Sequence, residues 1–509
     1  MKVVVLDHPR IIAPARAEDV VNAPLSSCMF TGYVGAMLQS GGHAAEMVDA
    51  NLQGWSCDET ATRLTDIAPD LLAVNLVYMW DETAHVLQML STLKQRLPAC
   101  HVTLFGYYPT FACDFLLRNC NGVDSVIVGE PELTAYQLAQ KIAAKEGWRA
   151  VQGLSFRKGS VVARNESRPL IADLDLLPFP LRTDRALREA RGVTPYVLGS
   201  RGCYNECTFC YLNAFYGAGP CWRARTLENI LEELRLLQSH EGLKYFYFAD
   251  ANFFGPGKSG QERAAQLAYL IKTELPGVSF GIECRANDVD AQTITVLREA
   301  GLRDVFLGVE SGCDRTLGRL RKHLRAEINA NAVRVLREQG IHTSFGFVMF
   351  DPDSTLEEVR ESFEFLKHNG ILDSPCVTAH VLHHRVRVLA GTPMFRAVAA
   401  RPLSRTESFG EYECTYMIAD ARVELLAQYC EPVLRRILST VPHETENQAD
   451  CARQTALNKM AIDFVGSCLS ALERASNGLP REDLEALAQE SIAKLEGLHA
   501  GCVAKGPAR

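Results

Sequence analysis

Cys203, Cys207 and Cys210 stand in the run Gly-Cys-Tyr-Asn-Glu-Cys-Thr-Phe-Cys, a C-x3-C-x2-C triplet. Thiolates this close together can each take one iron of a [4Fe–4S] cluster from a single loop. The remaining iron then has no protein ligand, so a small molecule can bind there. A structural zinc site would need a fourth ligand. No second C-x2-C and no nearby H-x3-H supplies one, so a distant residue among the 17 cysteines or 13 histidines would have to. The spacing therefore points to a cluster.

Such a loop needs a scaffold. Tyr196-Val-Leu-Gly199, just upstream, reads as a short buried strand. Later strands are expected at Tyr245–Phe248, Val278–Ile282, Val305–Val309, Thr343–Val348 and Val377–Leu382, with helices such as Leu227–Gln238 and Glu327–Gln339 between them. These six βα units predict a partial (β/α)6 barrel, whose chemistry belongs at the carboxyl-end mouth. The cysteine loop follows the first strand, where that rule puts an active site.

Residues 1–150 carry a separate alternation. Strands are expected at Val3–Leu6, Ala45–Val48, Leu71–Val77, Val102–Phe105 and Ser125–Val128, and Phe30–Leu38 is a helical pattern ending at Gly41-Gly42. That rhythm predicts a Rossmann-like, doubly wound parallel sheet, with ligands beyond the carboxyl ends of its strands. Residues 151–195 read as a linker, with a hairpin at Gly153–Val162 and an extended stretch at Asp173–Pro180. The barrel occupies 196–395, and 396–509 is mainly helical. The cysteines of the tail, Cys414, Cys430, Cys451, Cys468 and Cys502, lie too far apart for an auxiliary-cluster motif. The fold class is α/β with a helical tail.

Lys plus Arg is 53 against 61 Asp plus Glu, a formal net charge of −8. That balance disfavours nucleic acid, which selects a basic footprint. The basic run Arg319–Arg325 reads as a solvated helix face. No apolar run has the length of a membrane span, and Val3–Leu6 is cut short by Asp7-His8-Pro9-Arg10, unlike an export signal. A cytoplasmic protein with reduced thiols is the expectation.

The cysteine spacing, with Phe209 before the last Cys, resembles the signature of the radical S-adenosylmethionine (SAM) superfamily. Further motifs narrow the resemblance to its cobalamin-binding class: Gly199-Ser-Arg-Gly-Cys203, the linker run Leu-Leu-Pro-Phe-Pro180, Gly308-Val-Glu-Ser-Gly312 at the fourth barrel strand and Gly391-Thr-Pro393. The resemblance implies three cofactors: a [4Fe–4S] cluster, SAM on its open iron, and cobalamin in the N-terminal domain. It also implies an electron donor such as flavodoxin or ferredoxin.

Candidate SAM contacts follow from strand ends. Phe209 would place an apolar ring beside cluster and adenine, or serve as a core aromatic. Glu310 and Ser311 are placed to bond the ribose. Asp250 and Asn252 end the second strand, where the superfamily often carries Gly-Gly-Glu for the methionyl amino group; this chain lacks that triplet. Glu283 and Arg285 form a charged pair at the mouth, and Arg285 offers a fork for the SAM carboxylate.

The cobalamin motif D-x-H-x-x-G is absent, and Asp7-His8 is followed by Pro9, so His8 reads as a loop or core histidine. The class usually lacks this motif and leaves the lower face of cobalt without a histidine. Candidate contacts are then Tyr78 and Trp80 after the third strand, Gly106, Tyr107 and Thr110 after the fourth, and Gly129 and Glu130 after the fifth. Trp80 would cover the lower face of the corrin; each of these residues has an alternative as turn or packing.

The implied function is methylation of an unactivated carbon, or a phosphinate phosphorus, of a small metabolite through a 5′-deoxyadenosyl radical and methylcobalamin. Cyclisation or rearrangement with the same cofactors is the alternative, separable by product mass. A radical RNA methylthiotransferase would carry extra N-terminal cysteines and a basic β-domain. A non-catalytic iron–sulfur or corrinoid carrier would fail to cleave SAM.

Overall fold

The structure, a computed structural model, describes residues 1–11, 27–217, 219–401, 405–406, 412–441, 448–475 and 478–503. The N-terminal sheet contains β1 (Lys2–Asp7), β2 (Ala44–Asp49), β3 (Leu71–Asn75), β4 (His101–Phe105), β5 (Ser125–Ile127), β6 (Leu154–Lys158) and β7 (Val161–Arg164). Their order is β2-β1-β3-β4-β5-β6-β7. β1 to β5 are parallel. β3 and β4 are buried along their whole length, as expected of parallel strands covered by helices on both faces.

The hairpin expected in the linker does not stand apart. β6 pairs antiparallel with β5, and β7 with β6, so the hairpin extends the N-terminal sheet. Leu154, Ser155 and Phe156 are buried there, which gives the hairpin an apolar reason to join the sheet edge. The linker then crosses the helix Ser27–Ser40, where Leu181 N donates to Gly32 O at 3.1 Å. A Cβ on Gly32 would lie 2.5 Å from Leu181 O, so the crossing needs a glycine.

The second unit begins with β8 (Tyr196–Val197), β9 (Ser200–Cys203) and β10 (Cys221–Ala224), and continues through β11 (Tyr245–Phe248), β12 (Ser279–Arg285), β13 (Leu302–Glu310) and β14 (His342–Phe347). β8 and β11 to β14 form a five-stranded parallel sheet in the order β14-β13-β12-β11-β8. β9 and β10 form a separate antiparallel ribbon. The sixth expected strand is a helix: Val377–Leu382 lies inside the helix Pro375–His383. Ser374 caps it by accepting from Val377 N at 3.3 Å, and Pro375 opens it. A short apolar run does not distinguish a buried strand from a buried helix; here the Ser-Pro start decides. The chain after this helix meets the edge by a parallel bridge, Phe350 to Arg385.

β15 (Val388–Leu389), β16 (Arg405–Thr406) and β17 (Glu413–Thr415) form a small sheet in the order β15-β17-β16. The tail helices Ala421–Leu438, Gln448–Arg474 and Arg481–Val503 share one hydrophobic core with the barrel. The first two pack beside the helix Pro375–His383, and the third packs on those two. The stretch Leu389, Ala390 and Tyr412 instead joins the core of the N-terminal sheet. No helix among the described residues is long and apolar enough to cross a membrane.

Candidate active site

Cys203 closes β9, and the loop that follows is fastened from two sides. Thr208 N donates to Leu320 O at 3.0 Å, and Met394 N donates to Thr208 O at 2.9 Å. Asn205 Nδ2 donates to Arg321 O at 3.1 Å and to Cys207 Sγ at 3.0 Å. Arg285 Nη1 points at Cys207 Sγ from 3.8 Å. Burial raises the thiols of Cys203 and Cys210, the latter to about 12, and the neighbouring cysteines add to it. Metal binding at such thiols must release protons. No three His, Cys, Asp or Glu side chains among the described residues converge on a single ion. A cubane instead takes one thiolate per iron, and three thiols on one pinned loop beside a guanidinium are a suitable donor set.

Glu310 ends β13 at the mouth with φ +62°, in the left-handed region. Its Oε1 accepts from Lys322 Nζ at 2.8 Å, and Lys322 is 4% exposed. A Cβ on Gly308 would stand 2.8 Å from both Glu310 Oε1 and Lys322 Nζ, so the ion pair lies across the strand where only glycine leaves room. Lys322 O in turn accepts from Arg285 Nη2 at 2.5 Å, and Arg285 Nε donates to Asn287 Oδ1 at 3.1 Å. Lys322 was hidden within the basic run 319–325. That run is not a solvated helix face, because Leu320 is buried and Arg321 and His323 have positive φ. Its backbone is the pad that carries the cysteine loop.

Glu283 and Arg285 make no ion pair. Glu283 lies near Tyr196, Tyr247 and Asp250, and burial together with Asp250 pushes its carboxyl up to about 8. An incoming ammonium group would restore its charge. Phe209 packs against the apolar cluster that includes Leu320, Val348 and Met394, an apolar wall beside the cysteines. Asp250 is occupied elsewhere: it accepts from Ser200 N, from Ser200 Oγ at 2.9 Å and from Gly199 N at 3.3 Å, so it holds the turn that launches the loop. Asn252 is a turn residue, its Oδ1 accepting from Gly255 N at 2.7 Å. Ser311 is turned away from the mouth. Its Oγ lies 3.0 Å from Ser362 Oγ on the helix Leu356–His368 and accepts from Cys313 N at 3.1 Å.

The N-terminal sheet presents its carboxyl ends to the cysteine loop and to β17. Tyr107 stacks at 4.2 Å from Phe215 and 5.3 Å from Tyr211, both just past the cysteines. Tyr78 lies 4.9 Å from Tyr412. Trp80, held at φ +51°, donates from Nε1 to Glu413 Oε2 at 2.9 Å. Thr110 Oγ1 donates to Gly106 O at 2.8 Å and accepts from Gly129 N at 3.1 Å, tying the ends of β4 and β5 together. A Cβ on Gly106 would stand 2.8 Å from Asn75 Oδ1, so this glycine makes room for Asn75. His8 is fully buried: Val77 N donates to its Nε2 at 3.0 Å and its Nδ1 faces Pro9 O at 2.8 Å. Both ring nitrogens are engaged, and burial lowers its pKa to about 4. At this face Tyr108 Oη is buried with no hydrogen-bond partner among the described residues. Buried hydroxyls are normally satisfied, so this one fits a ligand that brings an acceptor, as a corrinoid with its amides would.

Glu130 is not available to such a ligand. Its Oε1 accepts from Arg201 Nη1 at 3.1 Å and Arg223 Nη2 at 3.0 Å, and its Oε2 from Arg223 Nη1 at 3.0 Å and Ile171 N at 2.9 Å. Arg201 Nη2 also donates to Glu132 Oε1 at 2.6 Å. These side chains clamp the end of β5 to the β9–β10 ribbon. Sequence reasoning missed the roles of Arg201, Arg223, Glu132 and Lys322. The only signal was position: Arg201 and Arg223 stand beside cysteines, and Lys322 lies 12 residues after Glu310.

Residues 197–366 match the Radical SAM superfamily. An uncharacterized methyltransferase of Pyrococcus horikoshii is 26% identical over 375 residues, covering 72% of this chain and 78% of that one. The anaerobic magnesium-protoporphyrin IX monomethyl ester cyclase of Synechocystis is 25% identical over 345 residues, 66% of each chain. Among solved structures, the cobalamin-dependent S-adenosylmethionine radical enzyme OxsB, with aqua-cobalamin and S-adenosylmethionine bound, superposes with a TM-score of 0.81 at 17% identity, covering 99% of this chain and 80% of that one. At that identity the likeness is one of fold.

Proposed function

We propose that this chain, which carries a radical SAM domain at residues 197–366, is a cobalamin-dependent methyltransferase of a small metabolite. One observation carries the reading. The cysteine loop lies between the barrel mouth and the carboxyl ends of an N-terminal sheet whose Tyr108 hydroxyl is buried and unsatisfied. Cys203, Cys207 and Cys210 would hold the cluster, Glu310, Arg285 and Glu283 would bind SAM, and the ends of β3, β4 and β5 would hold the corrinoid. Bound there, these groups supply a 5′-deoxyadenosyl radical and a methyl group.

The residues' own tasks are binding, orientation and exclusion. Arg285 and Lys322 place positive charge beside Cys207 and Glu310, which favours anionic groups at the mouth. Phe209 and its apolar neighbours exclude water on one side, and the Tyr107, Tyr211 and Phe215 rings do so on the other. An external one-electron donor such as flavodoxin or ferredoxin completes the scheme. Because one relative is a cyclase, cyclisation with the same cofactors is the competing reading. Product mass separates them: a gain of one methylene means methylation.

The test begins with anaerobic reconstitution. The protein should take up corrinoid at near-equimolar load. His8→Asn should leave occupancy and spectrum unchanged, since His8 is locked within its own strand end. Trp80→Ala should alter one or the other. A wild-type protein that takes up no corrinoid would sink the methyltransferase reading.

SAM binding gives a second test. Glu310→Ala removes an acceptor at the mouth and leaves Lys322 buried without its carboxylate. Arg285→Ala removes the fork. Loss of a charge-assisted bond costs about 1.5–3 kcal/mol, or roughly ten- to a hundredfold in affinity. Both variants should keep their iron. Unchanged SAM affinity in both, measured by equilibrium dialysis, would mean the pocket lies elsewhere.

A further inference from the structure

Cys221 belongs to no motif, yet β10 places it directly opposite Cys203 in the antiparallel ribbon. Both cysteines are free and partly buried. Directly opposed residues of an antiparallel pair have Cα atoms about 4.5–5.5 Å apart, inside the window of about 4.4–6.8 Å that a disulfide spans. Gly202, at φ +86°, makes the approach possible. A Cβ there would fall 2.2 Å from Cys221 O and 2.9 Å from Cys221 Sγ, pushing the strand and its thiol away. Cys207 is turned to Asn205 and Arg285 instead.

We propose that Cys221 captures Cys203 when the cluster is lost, closing a Cys203–Cys221 disulfide that preserves the ligand for reloading. The inference rests on the reading of the cysteine loop as a cluster site. While iron holds the Cys203 sulfur, the pair cannot form. Once oxygen has dismantled the cluster, two S–H bonds break and one S–S bond forms. The two electrons and two protons pass to dioxygen, which leaves as hydrogen peroxide. Without a partner, a thiol next to a decaying cluster proceeds to sulfinic and sulfonic acids, from which it does not return. A disulfide returns with a small thiol reductant.

The full-length protein is reconstituted anaerobically, its iron is counted, and it is then exposed to air with a chelator and alkylated without reduction. Trypsin leaves all four cysteines on one peptide, because no Lys or Arg lies between Arg201 and Arg223. Chymotrypsin separates them at Tyr204, Phe209, Tyr211 and Tyr216. The expected dominant cross-link joins the Cys203 and Cys221 peptides. A cross-link confined to Cys203, Cys207 and Cys210, with Cys221 alkylated, would overturn the proposal. Cys221→Ser should load the same iron before exposure. After air, thiol reduction and fresh iron and sulfide, it should regain severalfold less cluster than wild type; equal recovery would also overturn it. Iron content at the start reads the cluster assignment by itself, and the peptide map reads the pairing with or without iron.

Discussion

Cys203→Ala, Cys207→Ala and Cys210→Ala are each expected to abolish the cluster and, with it, all SAM cleavage. The argument is one of ligand count. A cubane held by one loop has a single thiolate per iron, so removing any thiolate opens a second iron. For Cys207 and Cys210, no other cysteine among the described residues is paired with the loop to replace it. The loop is pinned through Thr208 to Leu320 and Met394, and through Asn205 to Arg321. Those anchors do not involve the thiols of Cys203 or Cys210, so the apo fold should survive in each variant. Circular dichroism should therefore match wild type while iron and the cluster's visible absorbance fall to background. Cys203→Ala has the one nearby substitute, Cys221, on the facing strand. If Cys203→Ala retained substantial iron and Cys203→Ala/Cys221→Ala did not, Cys221 would be acting as a ligand. Full iron with intact SAM cleavage in any single variant would show that the triplet is not the ligand set.

The sequence exposed the chemistry-bearing loop because its residues are contiguous and of rare type. It exposed β1 to β5 and β11 to β14 because buried parallel strands read as short apolar runs between turn signals. It misassigned Val377–Leu382, where apolar content is the same for either element and Ser374-Pro375 settles the matter. What it could not reveal are the groups whose meaning lies in pairing across long separations. Glu130 and Arg201 are 71 residues apart, Trp80 and Glu413 are 333 apart. Strand-end reasoning took Glu130, after the fifth strand, for a ligand contact. It is a strut because Arg201 and Arg223 arrive there from the ribbon. The same blindness hid Lys322, whose neighbours in sequence are exposed or surface-paired cations but whose neighbour in space is Glu310. Ser311 failed for a simpler reason: it lies past the strand end, after the left-handed Glu310, and its hydroxyl is taken by Ser362 and Cys313 N.

Arg201→Leu should be the most destabilising single change at the face between the two units. Arg201, Glu130 and Glu132 have side-chain exposures of 2%, 4% and 0%. Removing one partner of such a group strands charge in the interior, at a cost of about 3–5 kcal/mol. Arg223 still serves Glu130, so the stranded carboxylate is chiefly Glu132. Burial alone would raise the Glu130 carboxyl, but Arg201 and Arg223 more than offset it and hold it below its ordinary value. Its contribution is therefore fully present at neutral pH and is lost only as pH falls through that lowered folded value. The Glu130 share of the destabilisation should accordingly be present at pH 7 and shrink in acid. Arg201→Lys should rescue little, because one ammonium cannot reach two carboxylates with the geometry of a fork. Arg201→Leu/Glu132→Gln should recover part of the loss, since it removes the stranded charge. Denaturant unfolding of the four proteins at two pH values reads all of this. The clamp also sits two residues before Cys203, on the strand that presents it. In Arg201→Leu protein that still loads iron and corrinoid, the magnetic coupling between reduced cluster and cob(II)alamin should weaken, because the two units are no longer held at a fixed separation. A variant within about 0.5 kcal/mol of wild type, the range of an ordinary surface change, with coupling unaltered, would show that the clamp neither stabilises nor positions.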